Sequence, residues 1–201
     1  MRVTKEQAAQ NRRQILDIAG RLFRERGFEG VAVAELMKAV GFTHGGFYNH
    51  FPSKDALAAE ACAVSLERSN AELAGTLAEA PHKAWNRFLA QYLTRAHRDD
   101  PAHGCTLAAL AADAARQGKE VQARFAEALE EVVEIIAGHL ATAQAKARPK
   151  RARGRARERA MRIYCELVGA VVLARAVAGA DAALSDEILS TTRRALLREA
   201  G

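Results

Sequence analysis

The chain has 201 residues, 49% of them hydrophobic, with a formal net charge of +6 and only 4 prolines. That length suits one or two small domains with a sizeable core. No segment approaches the roughly 18 uninterrupted apolar residues of a membrane span, and the start of the chain carries no signal-peptide pattern, so a cytoplasmic protein is expected. Alternating strand runs are absent and alanine is abundant, which predicts an all-α fold of about nine helices. Cys62, Cys105 and Cys165 are odd in number and far apart, arguing against a disulfide framework and a clustered zinc site.

Residues 1–13 are polar, and Arg2, Lys5, Arg12 and Arg13 form a basic arm that is either solvated or able to reach a DNA backbone. A helix is predicted from Lys5 or Glu6 to Arg26, with Ile15, Ile18, Ala19, Leu22 and Phe23 as its apolar stripe and Gly27 as its stop. Phe28 and Val31 are expected to close the core beneath residues 33–51. The stretch Val33–Phe51, VAELMKAVGFTHGGFYNHF, reads as two short helices and a tight turn. Ala34, Leu36, Met37, Ala39 and Val40 have helical apolar spacing, Gly41 supplies a left-handed stop, and Thr43 is placed to cap the second helix. That is a helix-turn-helix.

Its second helix contains Gly45 and Gly46, each costing about 1 kcal/mol against alanine, so close approach of the backbone to a partner is the reason to keep them. At roughly 100° per residue His44, Gly45, Tyr48 and Asn49 share one arc, while Phe47, His50 and Phe51 turn toward another. One arc can face a groove and the other a core. Pro52 stops the helix and Ser53 is placed to cap the next. Lys54 opens that next helix, where exposed N–H groups and an ammonium make a phosphate seat; a solvated lysine is the plainer alternative.

The run GFTHGGFYNHFPSKDAL, preceded by RLFRERGFEGV, resembles the DNA-binding head of the tetracycline-repressor (TetR) family of transcription regulators. Gly41, Thr43, Gly45, Gly46, Tyr48, His50, Phe51 and Lys54 meet that pattern, which covers about the first quarter of the chain. The resemblance implies a head at residues 1–53, a body for effector binding and dimerisation at residues 54–201, and a homodimer. It also implies roles: His44 and Gly45 approach base edges, Thr43, Tyr48, His50 and Lys54 hold phosphates, and Asn49 lies among them.

Beyond the head, a helix is predicted from about Lys54 to Ala78 with Ala56, Leu57, Ala61, Val64 and Leu66 packing along its first half, and another from about His82 to Arg98 with Trp85, Phe88, Leu89 and Tyr92 as its stripe. HRDDPAHGC, residues 97–105, reads as a loop whose spacing matches no regular zinc pattern. Helices follow from about Thr106 to Arg116 and, after Gly118, through Val121, Phe125, Leu129, Val132, Ile136 and Leu140 to near Lys146. Lys150 and Arg148, Arg151, Arg153, Arg155, Arg157, Arg159 and Arg162 face only Glu158, so this stretch accounts for the whole charge excess. It reads as an exposed loop leading into a helix, with a nonspecific nucleic-acid contact as the competing idea. The helix from about Arg155 to Ala178 is apolar nearly all round after Ile163, apart from Glu166 and Arg175, and needs a partner beyond its own domain. With a last helix at about Leu184 to Glu199 it is expected to form a four-helix dimer interface through Val168, Val171, Val172, Leu184, Ile188 and Leu196.

The composite expectation is a sequence-specific DNA-binding regulator, a repressor released from a pseudo-palindromic operator by a small-molecule effector. The effector pocket is sought among Trp85, Phe88, Tyr92, Cys105, Phe125 and Glu166, with core packing as the plainer reading of the aromatic residues. No cofactor, metal or membrane partner is expected. An all-helical enzyme is the reading from another class, but no Ser/His/Asp order, carboxylate pair, zinc spacing or phosphate-cradling glycine loop supports it.

Overall fold

The computed structural model describes residues 4–79, 81–143 and 149–200, and among them regular structure is entirely helical. In chain order the elements are α1 (Lys5–Arg26), α2 (Val33–Val40), a 3₁₀ helix (His44–Asn49), α3 (Lys54–Glu79), α4 (Pro81–Tyr92), α5 (Arg95–Asp99), α6 (Thr106–Ala114), α7 (Lys119–Ala143), α8 (Pro149–Val177) and α9 (Ala182–Ala200). Two compact units are present: Met1–Glu67 with Pro101–Ala126, and Arg68–Asp100 with Glu127–Gly201.

In the first unit the side chain of Thr4 caps α1 by accepting from the Gln7 N–H at 3.1 Å. α1 buries Ile15, Leu16, Ala19 and Phe23 against Phe28, Val31, Leu36, Met37, Phe47, Phe51 and Leu57, all with at most 7% exposure. Gly27 ends α1 at φ 73, and its N–H reaches the Phe23 carbonyl at 2.8 Å. A Cβ there would also meet Asp113 Oδ2 at 2.4 Å, so glycine is required for both conformation and space. Gly41 ends α2 in the left-handed region at φ 86, which aims the chain into the turn. α6 packs beside α1, and Arg24 donates through Nε to the Ala102 carbonyl at 2.9 Å.

In the second unit Asn70, 3% exposed, donates to the Ala128 carbonyl at 3.1 Å and to Glu131 at 2.8 Å, fixing α3 to α7. Arg157 on α8 bridges Glu130 at 2.7 Å and Glu134 at 2.5 Å, one turn apart on α7. α8 and α9 form the most extensive helix pair of the molecule. α5 is bound to both. Arg98 donates to Ser185 Oγ at 2.7 Å and to Asp186 at 3.3 Å, and Arg95 pairs with Asp186 as well. Arg175 on α8 donates to the carbonyls of His97 and Arg98, each at 2.8 Å. Ser185 Oγ, fully buried, passes its own proton to the Ala174 carbonyl at 2.8 Å.

Several boundaries differ from the sequence reading. The helix expected over His82–Arg98 is two helices, because the Thr94 side chain accepts from the His97 N–H at 3.2 Å and starts α5 anew. The arginine-rich stretch is not a loop from its start: α8 begins at Pro149, where a ring that fixes φ and has no N–H suits a first helical position. Arg2, Lys146 and Arg148 lie outside the described residues, as do the side chains of Lys150, Arg151 and Arg153. The second helix of the helix-turn-helix is 3₁₀ rather than α, and Thr43 precedes it without a side-chain cap bond. Two adjacent glycines and an absent cap leave too little helix propensity for a wider turn.

Candidate nucleic-acid interface

Buried rings fix the 3₁₀ helix from within. Phe47 and Phe51 are each 1% exposed, with ring centroids 5.9 Å apart. Arg12 of α1 lays its guanidinium 4.5 Å from the Phe51 centroid and pairs with Glu60 of α3 at 2.6 Å, so one cation closes the far end of the element against both neighbouring helices. The basic arm gave no sign of this, because Arg12 precedes Phe51 by too long a stretch for any local pattern.

The outward side of the same element carries Thr43, His44, Gly45, Tyr48 and Asn49, all exposed, with Tyr48 at 63%. Nothing lies within 4 Å of where a Cβ on Gly45 would sit, so that backbone is bare. The rings of His44 and Tyr48 meet edge-on at 6.2 Å, and His50, half-buried, stacks on Phe42 at 6.4 Å. The side chains of His44, Asn49 and Lys54 make no hydrogen bond or ion pair among the described residues. Ser53 caps α3, its Oγ accepting from the Ala56 N–H at 3.0 Å, and Lys54 stands half-buried in the first turn that this cap organises. The seven residues singled out as DNA contacts thus fall on one short segment, five of them fully outward. Chemically the surface offers imidazole, amide, phenol and ammonium groups around a glycine with open access, a set suited to hydrogen bonds with base edges and phosphates.

Residues 15–61 match the model of the bacterial regulatory proteins of the tetR family, and residues 81–185 match that of the LmrA/YxaF-like transcriptional regulator C-terminal domain. The second match alone takes in more than half of the chain. The chain belongs to the TetR family of transcriptional regulators. Among its curated relatives, the HTH-type transcriptional regulator AcrR of Shigella flexneri is 42% identical over 59 residues, or 29% of this chain and 27% of that one. The HTH-type transcriptional repressor Rv1474c of Mycobacterium tuberculosis is 43% identical over 56 residues, covering 28% and 30% of the two chains. This TetR-family chain therefore spans less than a third of the curated relatives it matches, and the matched part is the head. Escherichia coli NemR, solved in its reduced form, superposes with a TM-score of 0.78 at 18% identity over 94% of this chain and 96% of that one, a likeness of fold. TetR-family regulators are not a class of enzymes, and no helix among the described residues is long and apolar enough to cross a membrane.

The six residues singled out for an effector separate. Trp85, Phe88 and Tyr92 line up on α4, with Trp85–Phe88 and Phe88–Tyr92 centroids 5.7 and 5.3 Å apart. Cys105 and Phe125 belong to the other compact unit. Glu166 pairs with Arg162 one turn earlier at 2.5 Å, while Arg175 is engaged with the carbonyls of α5. Of the six residues singled out for dimerisation, Val171 and Leu196 are buried in the chain's own fold at 0% and 1% exposure; Val172 and Leu184 are exposed at 41% and 43%, and Val168 and Ile188 are half-buried. Burial pushes the Cys62 thiol up to about 12, in keeping with a small buried hydrophobe.

Proposed function

We propose that this chain is a homodimeric repressor that reads a pseudo-palindromic operator through the outward face of the 3₁₀ helix and is released by a small-molecule effector. The observation that carries the reading is that face itself: a row of exposed polar side chains beside an uncovered glycine, held rigidly from below by Phe47, Phe51 and Arg12. Residues 1–53 serve DNA binding and residues 54–201 serve effector binding and dimerisation. His44 and Gly45 approach base edges. Thr43, Tyr48, His50 and Lys54 hold phosphates and set the register, and Asn49 contacts either.

A second copy is supplied through α8. Met161, Cys165, Val168, Val172 and Ala176 fall within roughly 80° of one another on the helical wheel, and all five are exposed or half-buried in the single chain. Such a stripe is the seam along which two α8 helices pair, with Leu184 and Ile188 of α9 flanking it. Effector and operator then oppose each other by linkage: a ligand that prefers the body conformation in which the heads are wrongly spaced weakens DNA binding, and DNA weakens ligand binding by the same factor. Two features support coupling. α6 shares a compact unit with the head and packs beside α1, and Arg24 and Arg175 hold backbone carbonyls at positions 102 and 97–98 of the segment leading into α6.

The arginine-rich stretch supports the competing nonspecific reading less than its charge suggests, since Arg157 and Arg162 are already committed to Glu130, Glu134 and Glu166. Selection of bound duplexes from random-sequence DNA decides between the two. The repressor reading predicts enrichment of an inverted repeat with half-sites one or more turns of about 34 Å apart; a pool that stays random at physiological salt overturns it.

A further inference from the structure

Trp85 is the chain's single tryptophan, it is 3% exposed, and its indole N–H has no hydrogen-bond partner among the described residues. A donor left in this condition costs about 1–3 kcal/mol, and more than nine in ten buried polar groups avoid it. Its surroundings offer ring faces. His139 of α7 stacks on the indole at 6.0 Å and 27°, Phe88 lies 5.7 Å away on the other neighbouring turn, and the row continues through Tyr92 to His97 of α5, whose ring meets Tyr92 at 4.4 Å. Five rings from three helices of one compact unit thus run side by side. Phe88, Tyr92, His97 and His139 are half-buried, so the row is approachable although Trp85 is enclosed. Burial also pushes the His97 imidazole toward its neutral form, and its Nδ1 meets the Tyr92 carbonyl at 2.7 Å.

We propose that this row is a ligand site for a planar aromatic molecule carrying a hydrogen-bond acceptor on its rim, a carbonyl, ether oxygen or ring nitrogen, which the Trp85 N–H receives. The ring faces supply stacking and apolar burial, and the lone donor supplies orientation. The proposal rests on the repressor reading only in that such a molecule would be the effector; the binding itself does not need DNA.

The test uses the full-length protein and two isosteric probes, quinoline and naphthalene, which differ by one acceptor nitrogen. Binding is measured at neutral pH by equilibrium dialysis, and the single indole N–H proton is followed by NMR. Quinoline is expected to shift that resonance downfield and naphthalene is not. Trp85→Phe, which keeps a ring, is expected to weaken quinoline by roughly 3- to 10-fold while leaving naphthalene within about 2-fold. A variant that still binds naphthalene is folded at the site, so loss of structure does not mimic the result. Equal weakening of both probes, no binding of either, or an unmoved indole resonance overturns the site. Release of operator DNA is read separately: quinoline bound in the predicted way with the operator still held contradicts the effector role and leaves the site standing.

Discussion

On the 3₁₀ helix and the first turn of α3, polar side chains point away from the fold, and those of His44, Asn49 and Lys54 bind nothing within it. Around α5 the opposite holds: Arg98 is 9% exposed and its guanidinium is divided among Asp99, Ser185 and Asp186, while Ser185 passes on to the Ala174 carbonyl. Hydrogen bonds from Arg95 hold the Asp186 carboxyl below the usual range, with Arg98 adding to the effect. Both regions are polar and both are rigid, yet one is complete without a partner and the other is not. Side-chain polarity alone therefore says little about function, and the presence or absence of internal partners says much more.

The contrast is broken most forcefully at Arg98. Arg98→Met removes one side of a buried charged network and leaves Ser185 and Asp186 short of a donor; melting followed by circular dichroism should fall by roughly 6–12 °C. Operator affinity of the protein that remains folded should stay within about 2-fold. At the head the pattern reverses. Tyr48→Phe and Lys54→Ala should each weaken binding to every duplex by about 5- to 10-fold, and Lys54→Ala should lower the salt slope of binding by about 1, with the melting temperature nearly unmoved. Fluorescence anisotropy across a salt series checks this.

The smallest effect concerns pH. His97 sits among the α5 contacts with its basicity lowered chiefly by burial, so the unfolded chain takes up a proton at higher pH than the folded one. Stability is therefore fully retained above the ordinary histidine pKa of about 6.5 and declines as pH falls through and below it, levelling once the folded form is also protonated. Melting curves between neutral and mildly acidic pH should show the decline in the wild type and a flatter profile in His97→Gln.

Legibility in the sequence followed the range of the interactions. The helix ends at Gly27 and Gly41, the cap at Ser53 and the outward grouping of His44, Gly45, Tyr48 and Asn49 are set by neighbours within a turn or two, and they could be read directly. The break at Thr94 was missed although its signal, a threonine three residues before the N–H it accepts, was present; the aromatic stripe of α4 and the basic residues after it read as one continuous period. Arg12 over Phe51, Trp85 beside His139 and Arg98 with Ser185 join residues that are 39, 54 and 87 positions apart, and no periodicity reports such pairs. The apolar character of α8 was visible, but which side faces its own fold was not: Val171 turned inward and Val172 outward because the partner α9 chooses the face.

The central claim is that the exposed face of the 3₁₀ helix reads DNA with His44 as a base-edge contact. It is tested most directly by measuring the affinity of wild type and His44→Ala for the selected operator, for single-base variants of its half-site and for scrambled DNA at one salt concentration. The account predicts that His44→Ala loses discrimination at one half-site position, worth about 1–3 kcal/mol, while its affinity for scrambled DNA is unchanged. Equal loss on operator and scrambled DNA would contradict it, because His44 would then be holding phosphate and the reading of bases would lie elsewhere.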